Sequence, residues 1–100
     1  MRIARVVGQV VSTAKSDSIA GRTILLLTDI DPALPDDSGA GGAVGYAAVD
    51  LIGAGRGEVV LVTRGSAARI DGATSNAPVD AAVIGIVDSL VVESTVTYEK

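Results

Sequence analysis

The sequence predicts a small, partly closed all-β barrel of five short strands, with one short helix inserted before the last strand. Three observations carry this. Short β-branched runs recur, each bounded by Gly, Pro, Asn, Asp or Ser. Strand-helix-strand alternation, the mark of an α/β sheet, does not repeat. One stretch only, late in the chain, has helical spacing of its apolar residues.

The first strand is expected within residues 2–14. There Ile3, Val7 and Val11 fall on one parity and Val6 and Val10 on the other, with Gly8-Gln9 interrupting, as in a strand buried on much of both faces. Lys15-Ser16-Asp17-Ser18 and Ala20-Gly21 punctuate the chain before Thr23-Ile24-Leu25-Leu26-Leu27-Thr28, a second strand that pairs with the first as a hairpin. Residues 31–42 hold Pro32, Pro35, Asp36-Asp37, Gly39, Gly41 and Gly42, and read as an exposed loop. Around Val44, Tyr46 and Val49 strand-like sequence resumes. The turn Gly53-Ala54-Gly55-Arg56-Gly57 then leads into Glu58-Val59-Val60-Leu61-Val62-Thr63, the clearest strand in the chain.

Gly65-Ser66-Ala67-Ala68-Arg69 reads as a helical turn and Asp71-Gly72 as a reverse turn. From Pro78 onward Val79, Val83, Ile86, Val87 and Leu90 lie at helical spacing, with Pro78 suited to a first turn and Asp80 to the positive end of the dipole. Gly85 costs such a helix about 1 kcal/mol, so the expected helix is short. The alternation of Thr95, Val96, Thr97, Tyr98 and Glu99 marks the fifth strand.

At 100 residues the chain forms one domain, residues 1–100. Hydrophobic residues make up 48 % of it, yet Phe, Trp and Cys are missing and the aromatics are Tyr46 and Tyr98. A core of Val, Ile, Leu and Ala buries less area per side chain than an aromatic one, so a subunit of this size gains from burying surface against copies of itself. The net charge of −4, with basic residues scattered from Arg2 to Lys100, offers no footprint for a phosphate backbone, and nucleic acid is not an expected partner. No apolar run exceeds the length of residues 24–27, which is far too short to cross a bilayer as a helix. Met1-Arg2-Ile3-Ala4-Arg5 runs straight into strand-like sequence, unlike a signal peptide, and the lack of cysteine suits a reducing cytoplasm.

No catalytic set emerges. Without histidine there is no Ser-His-Asp triad and no histidine metal site. The glycines of residues 53–57 have the wrong spacing for a dinucleotide fingerprint and lead into a strand instead of a helix, so a close approach of backbone to backbone is the expectation there. Asp29, Asp31, Asp36 and Asp37 lack the glycine and distant Glu of a calcium loop. Arg69 and Asp71 read as surface or intersubunit ion-pairing residues, and Asp80 and Asp88 as one face of the expected helix. No cofactor, metal or catalytic residue is assigned.

Several stretches, taken in order, resemble the EutN/CcmL family of bacterial microcompartment shell proteins. These are Val7-Gly8-Gln9-Val10-Val11-Ser12-Thr13-Ala14-Lys15, Gly21 followed by Leu25-Leu26-Leu27, and the segment from Ala48-Val49-Asp50-Leu51-Ile52 through Gly53-Ala54-Gly55-Arg56-Gly57-Glu58 to Val59-Val60-Leu61-Val62. Gly65-Ser66-Ala67-Ala68-Arg69, Pro78-Val79-Asp80-Ala81 and Ile86-Val87-Asp88 complete the pattern, from which residues 31–42 depart most. The resemblance implies an OB-like barrel, a cyclic homopentamer, and a structural role closing the fivefold corners of a shell in the cytoplasm, beside hexameric shell proteins and around metabolic enzymes. By the same resemblance Gly53, Gly55, Gly57, Glu58, Ser66, Ala67 and Arg69 are candidate contacts between subunits or within the shell. The alternative, a monomeric OB-type module for single-stranded nucleic acid, needs a basic groove with stacking aromatics. A small enzyme working through Asp50 or Glu58 is a further rival.

Overall fold

The computed structural model describes residues 1–11, 21–33, 45–65 and 80–100. Seven strands run through them: β1 (Arg2–Val10), β2 (Ile24–Asp29), β3 (Tyr46–Asp50), β4 (Val59–Arg64), β5 (Ala81–Ile86), β6 (Ser89–Val92) and β7 (Thr95–Glu99). The first five close into a barrel in the order β1-β2-β3-β5-β4, with β4 returning to β1. Every pairing in it is antiparallel except β3 with β5, which is parallel and joins Val49 to Ala82 and Asp50 to Val83. This is the expected all-β, five-stranded barrel.

β1 can serve both neighbours because it bends. The register with β2 slips between Val6 and Gly8, so the extra residue forms a bulge that curves the strand and sharpens its twist. Its first half then pairs with β4, Arg2 opposite Val62 and Arg5 opposite Val59. The interior is filled by Ala4, Val6, Leu25, Leu27, Ala48, Val60, Val62, Ala81 and Val83. A closed barrel of only five strands has a narrow lumen, and Val, Leu and Ala fill it without aromatic rings. Each fully buried valine contributes about 1.5–3 kcal/mol relative to exposure.

Two smaller clusters cover the outside. Val49 and Ala82 pack with Ile24 and Leu51, and Ile30, Val59 and Val87 pack with Ile3, Leu61, Leu90 and Tyr98. The latter seats a separate β6–β7 hairpin on the barrel wall. One further bond ties that hairpin down, Thr97 Oγ1 donating to the Pro32 carbonyl, while the Lys100 amide closes the hairpin's own base by donating to the Asp88 carbonyl at 2.8 Å.

The helix expected before the last strand is not formed; its described residues are β5, the fifth strand of the barrel, followed by the turn into β6. The physical reason is burial on both faces. Ala81 and Val83 point into the lumen while Ala82 joins the outer cluster, so the period of two is hidden and a helical spacing arises by coincidence. Gly85 serves the strand, since a Cβ there would sit 3.3 Å from Leu61 Cδ1 on the paired strand. Asp80 and Asp88 accordingly flank β5 rather than share a helix face. The tail strand exists as β7, but it pairs with β6 outside the barrel. Pro78 and Val79, and the turn from Ser66 to Arg69, lie outside the described residues.

Candidate functional site

The glycine loop following β3 is built from one carboxylate outward. Asp50, the last residue of β3, accepts hydrogen bonds from the amides of Ile52 (3.1 Å) and Gly53 (3.0 Å) on Oδ1, and from that of Ala54 (3.0 Å) on Oδ2. Three successive backbone donors that no strand could satisfy are thereby paired. Gly53 and Gly57 take φ of +83° and +87° in open space, so the backbone conformation, and not crowding, calls for glycine.

Glu58 closes the far end. Its Oε1 accepts the Gly55 amide at 2.5 Å, its Oε2 meets Lys100 Nζ at 2.8 Å, and its own amide donates to the Gly55 carbonyl at 3.2 Å. The Lys100 ammonium, and after it the Gly55 amide, hold the Glu58 carboxyl below its ordinary range, while Glu58 raises Lys100 in turn. A Cβ on Gly55 would stand 3.3 Å from Glu58 Oε1, so the bare α-carbon leaves room for that bond.

β1 clamps the same loop. The Val6 amide donates to the Glu58 carbonyl at 2.9 Å, the Gly57 amide to the Val6 carbonyl at 2.8 Å, and an Arg5 guanidinium nitrogen to the Gly57 carbonyl at 2.8 Å. The Arg5 guanidinium also lies over the Tyr98 ring, 5.8 Å from its centre. The result is a rigid, exposed platform of nearly bare backbone beside a solvent-open groove of about 320 Å³, lined by Gly8, Gln9, Ala54, Gly55 and Arg56 over the buried Val6 and Leu25.

Of the residues singled out from the sequence, Gly53, Gly55, Gly57 and Glu58 come together in this platform. Ser66, Ala67 and Arg69 lie outside the described residues. Arg5 and Lys100, which help make the platform rigid, were not among the candidates, and Asp50 was named only for the rival enzyme. An Asp followed at short range by glycine is an Asx-turn signal and marks Asp50; no local signal marks Arg5 or Lys100. Asp50 and Glu58 are both engaged in holding backbone, which is structural and not acid-base work. The groove lining carries no aromatic ring, and nothing here favours the single-stranded nucleic acid alternative.

A second polar cluster sits on the barrel wall. Tyr46 Oη donates to Asp29 Oδ1 at 2.7 Å, Arg2 pairs with the other carboxylate oxygen, and the Arg64 guanidinium stacks 4.5 Å from the Tyr46 ring centre. Burial first, then the bond to Asp29, pushes the Tyr46 hydroxyl well above the usual phenol range.

The family described as ethanolamine utilisation protein EutN/carboxysome matches residues 1–88. The microcompartment shell vertex protein PduN of Salmonella typhimurium is 47 % identical over 92 residues, spanning 90 % of this chain and 98 % of its own. The structure of Gloeobacter violaceus CcmL superposes with a TM-score of 0.84 at 43 % identity, covering 100 % of this chain and 98 % of that one. GrpN of Rhodospirillum rubrum, a pentameric microcompartment shell protein, superposes with a TM-score of 0.73 at 38 % identity over 92 % of this chain and 98 % of its own.

Proposed function

Because this chain belongs to the EutN/CcmL family, we propose that it is a structural subunit of a bacterial microcompartment shell, working as a cyclic homopentamer at the fivefold vertices. Family members are shell vertex proteins and not enzymes. The observation that carries the reading is agreement along the whole chain, in sequence and in fold, with vertex proteins that include a pentameric one.

A shell tiled by flat hexagonal units closes only where pentagons supply curvature, so the function resides in shape. Each subunit then needs a head-to-tail interface that repeats around a ring. The Gly53–Gly57 platform suits such an interface: its backbone is exposed, lacks side-chain bulk at three positions, and is fixed before association, so little ordering opposes binding. Glu58 acts on it indirectly, by shaping the loop. Ser66, Ala67 and Arg69 remain candidates for contacts of the same kind, Arg69 by forking onto a carbonyl or carboxylate. The outer partners are hexameric shell proteins of the same cytoplasmic compartment.

Coexpression with a hexameric shell protein tests the role. Closed polyhedral particles are expected with this chain present and open sheets or tubes without it. Closed particles in its absence contradict the vertex assignment.

A further inference from the structure

The family match ends at residue 88, so the hairpin of β6 (Ser89–Val92) and β7 (Thr95–Glu99) lies beyond it. Surfaces that serve a ring common to the family are therefore to be sought in the barrel and its loops, and the hairpin calls for a reason of its own. A two-stranded hairpin is marginal in water unless one face packs on something larger. Leu90 and Tyr98 give this one such a face, against Ile30, Val59 and Val87. Val91 and Val96, direct cross-strand partners, occupy the other and are 61 % and 55 % exposed.

The inner face and the end of the hairpin meet the exit of the glycine loop, where three attachments fall on residues 55–59. At the first, Lys100 Nζ meets Glu58 Oε2 at 2.8 Å, and the same carboxylate accepts the Gly55 amide on Oε1. The Lys100 amide, bonded to the Asp88 carbonyl at the hairpin base, keeps that ammonium within reach. At the second, the Tyr98 ring lies under the Arg5 guanidinium, which donates to the Gly57 carbonyl. At the third, the fully buried Val59 packs in the cluster that seats the hairpin, and its carbonyl accepts the Val87 amide at 2.8 Å. Thr97, bonded to the Pro32 carbonyl, anchors the hairpin elsewhere on the chain.

We infer that the β6–β7 hairpin is a strap whose Lys100 and Tyr98 position the Gly53–Gly57 platform for the neighbouring subunit, strengthening the ring without being a ring contact itself. The inference rests on the pentamer and the platform proposed above and names what holds the platform in shape. Glycine loses more conformational freedom on ordering than any other residue, and a loop ordered before docking spares the association that loss. Lys100 and Tyr98 are positioning residues: they act through Glu58 and Arg5 and need not touch the partner.

The full-length chain and three variants test this, by sedimentation velocity over a dilution series and by hydrogen exchange. Lys100→Ala/Tyr98→Leu is expected to raise the concentration for half-dissociation about tenfold and to speed exchange at the Gly55 and Gly57 amides, with the core amides of Val60 and Val62 unchanged. Lys100→Ala alone changes one exposed side chain and keeps the hydrophobic packing; its rise should be smaller, with faster exchange at Gly55 and not at Gly57. Val91→Ser/Val96→Ser should assemble as the parent does. A monomeric parent removes the ring reading itself. A pentameric parent whose assembly is unmoved by both strap variants overturns the strap and leaves the ring standing. Weakening by Val91→Ser/Val96→Ser equal to that of the double strap variant overturns it too, by making the outer face of the hairpin a contact.

Discussion

Glu58 Oε2 and Lys100 Nζ lie 2.8 Å apart, joining the glycine loop to the last residue of the chain. Glu58 uses its other oxygen to hold the Gly55 amide, so one side chain fixes both the loop and the end of β7. The pair sits at the surface and is subject to screening by salt.

The pH dependence follows from the direction of each shift. Glu58 titrates below its ordinary 4.5 in the folded chain, so its contribution is present above that value and is lost as pH falls through the folded one. Lys100 titrates above its ordinary 10.5, so its contribution is present below that value and is lost as pH rises through the folded one. The melting temperature of Glu58→Gln should therefore fall short of the parent's by a constant amount from pH 6 to pH 9, and the gap should close below pH 4.5 and above pH 10.5. A gap that does not change with pH refutes the role given to the ion pair.

Asp50→Ala removes the acceptor of three amides at once. We expect a loss of about 1–3 kcal/mol in urea unfolding. Native-state hydrogen exchange should accelerate at Ile52, Gly53 and Ala54 but not at Val60 or Val62 in the core. Unchanged protection at the three loop amides would show that another group holds them.

Gly57→Ala and Gly55→Ala should behave differently. At Gly57 space is open but φ is +87°, so alanine costs about 1–2 kcal/mol through the backbone alone. At Gly55 the new Cβ falls 3.3 Å from Glu58 Oε1, which can give way only by loosening its bond to the Gly55 amide. In the Gly55→Ala background, then, the pH-dependent part of the Glu58→Gln effect should shrink; with Gly57→Ala it should persist. Equal effects of both alanines on that quantity contradict this division.

Tyr46 donates its phenol proton to Asp29 on a partly buried wall, and it ionises above the ordinary 10.0. Ultraviolet titration should show one tyrosine ionising late, and Tyr46→Phe should abolish that phase at a cost of about 1 kcal/mol in stability. A late phase that survives in Tyr46→Phe assigns it elsewhere.

How much of this was legible in the sequence depends on the range of the interaction. β1, β2 and β4 could be read because β-branched runs end at glycines and polar clusters, and the β1–β2 pairing because the two runs are consecutive along the chain. β5 was misread because a strand buried on both faces has no alternation, and Val83, Ile86, Val87 and Leu90 happen to fall at helical intervals. The glycine loop could be found from composition, but its stiffness could not. That stiffness comes from Arg5 and Lys100, brought to it by barrel closure and by the hairpin, and nothing local records either.

The ring is the central claim, and the mass of the native particle tests it most directly. Sedimentation equilibrium at micromolar concentration should give about five times the 10.0 kDa of one chain. A folded species that stays at the mass of a single chain throughout that range contradicts the account.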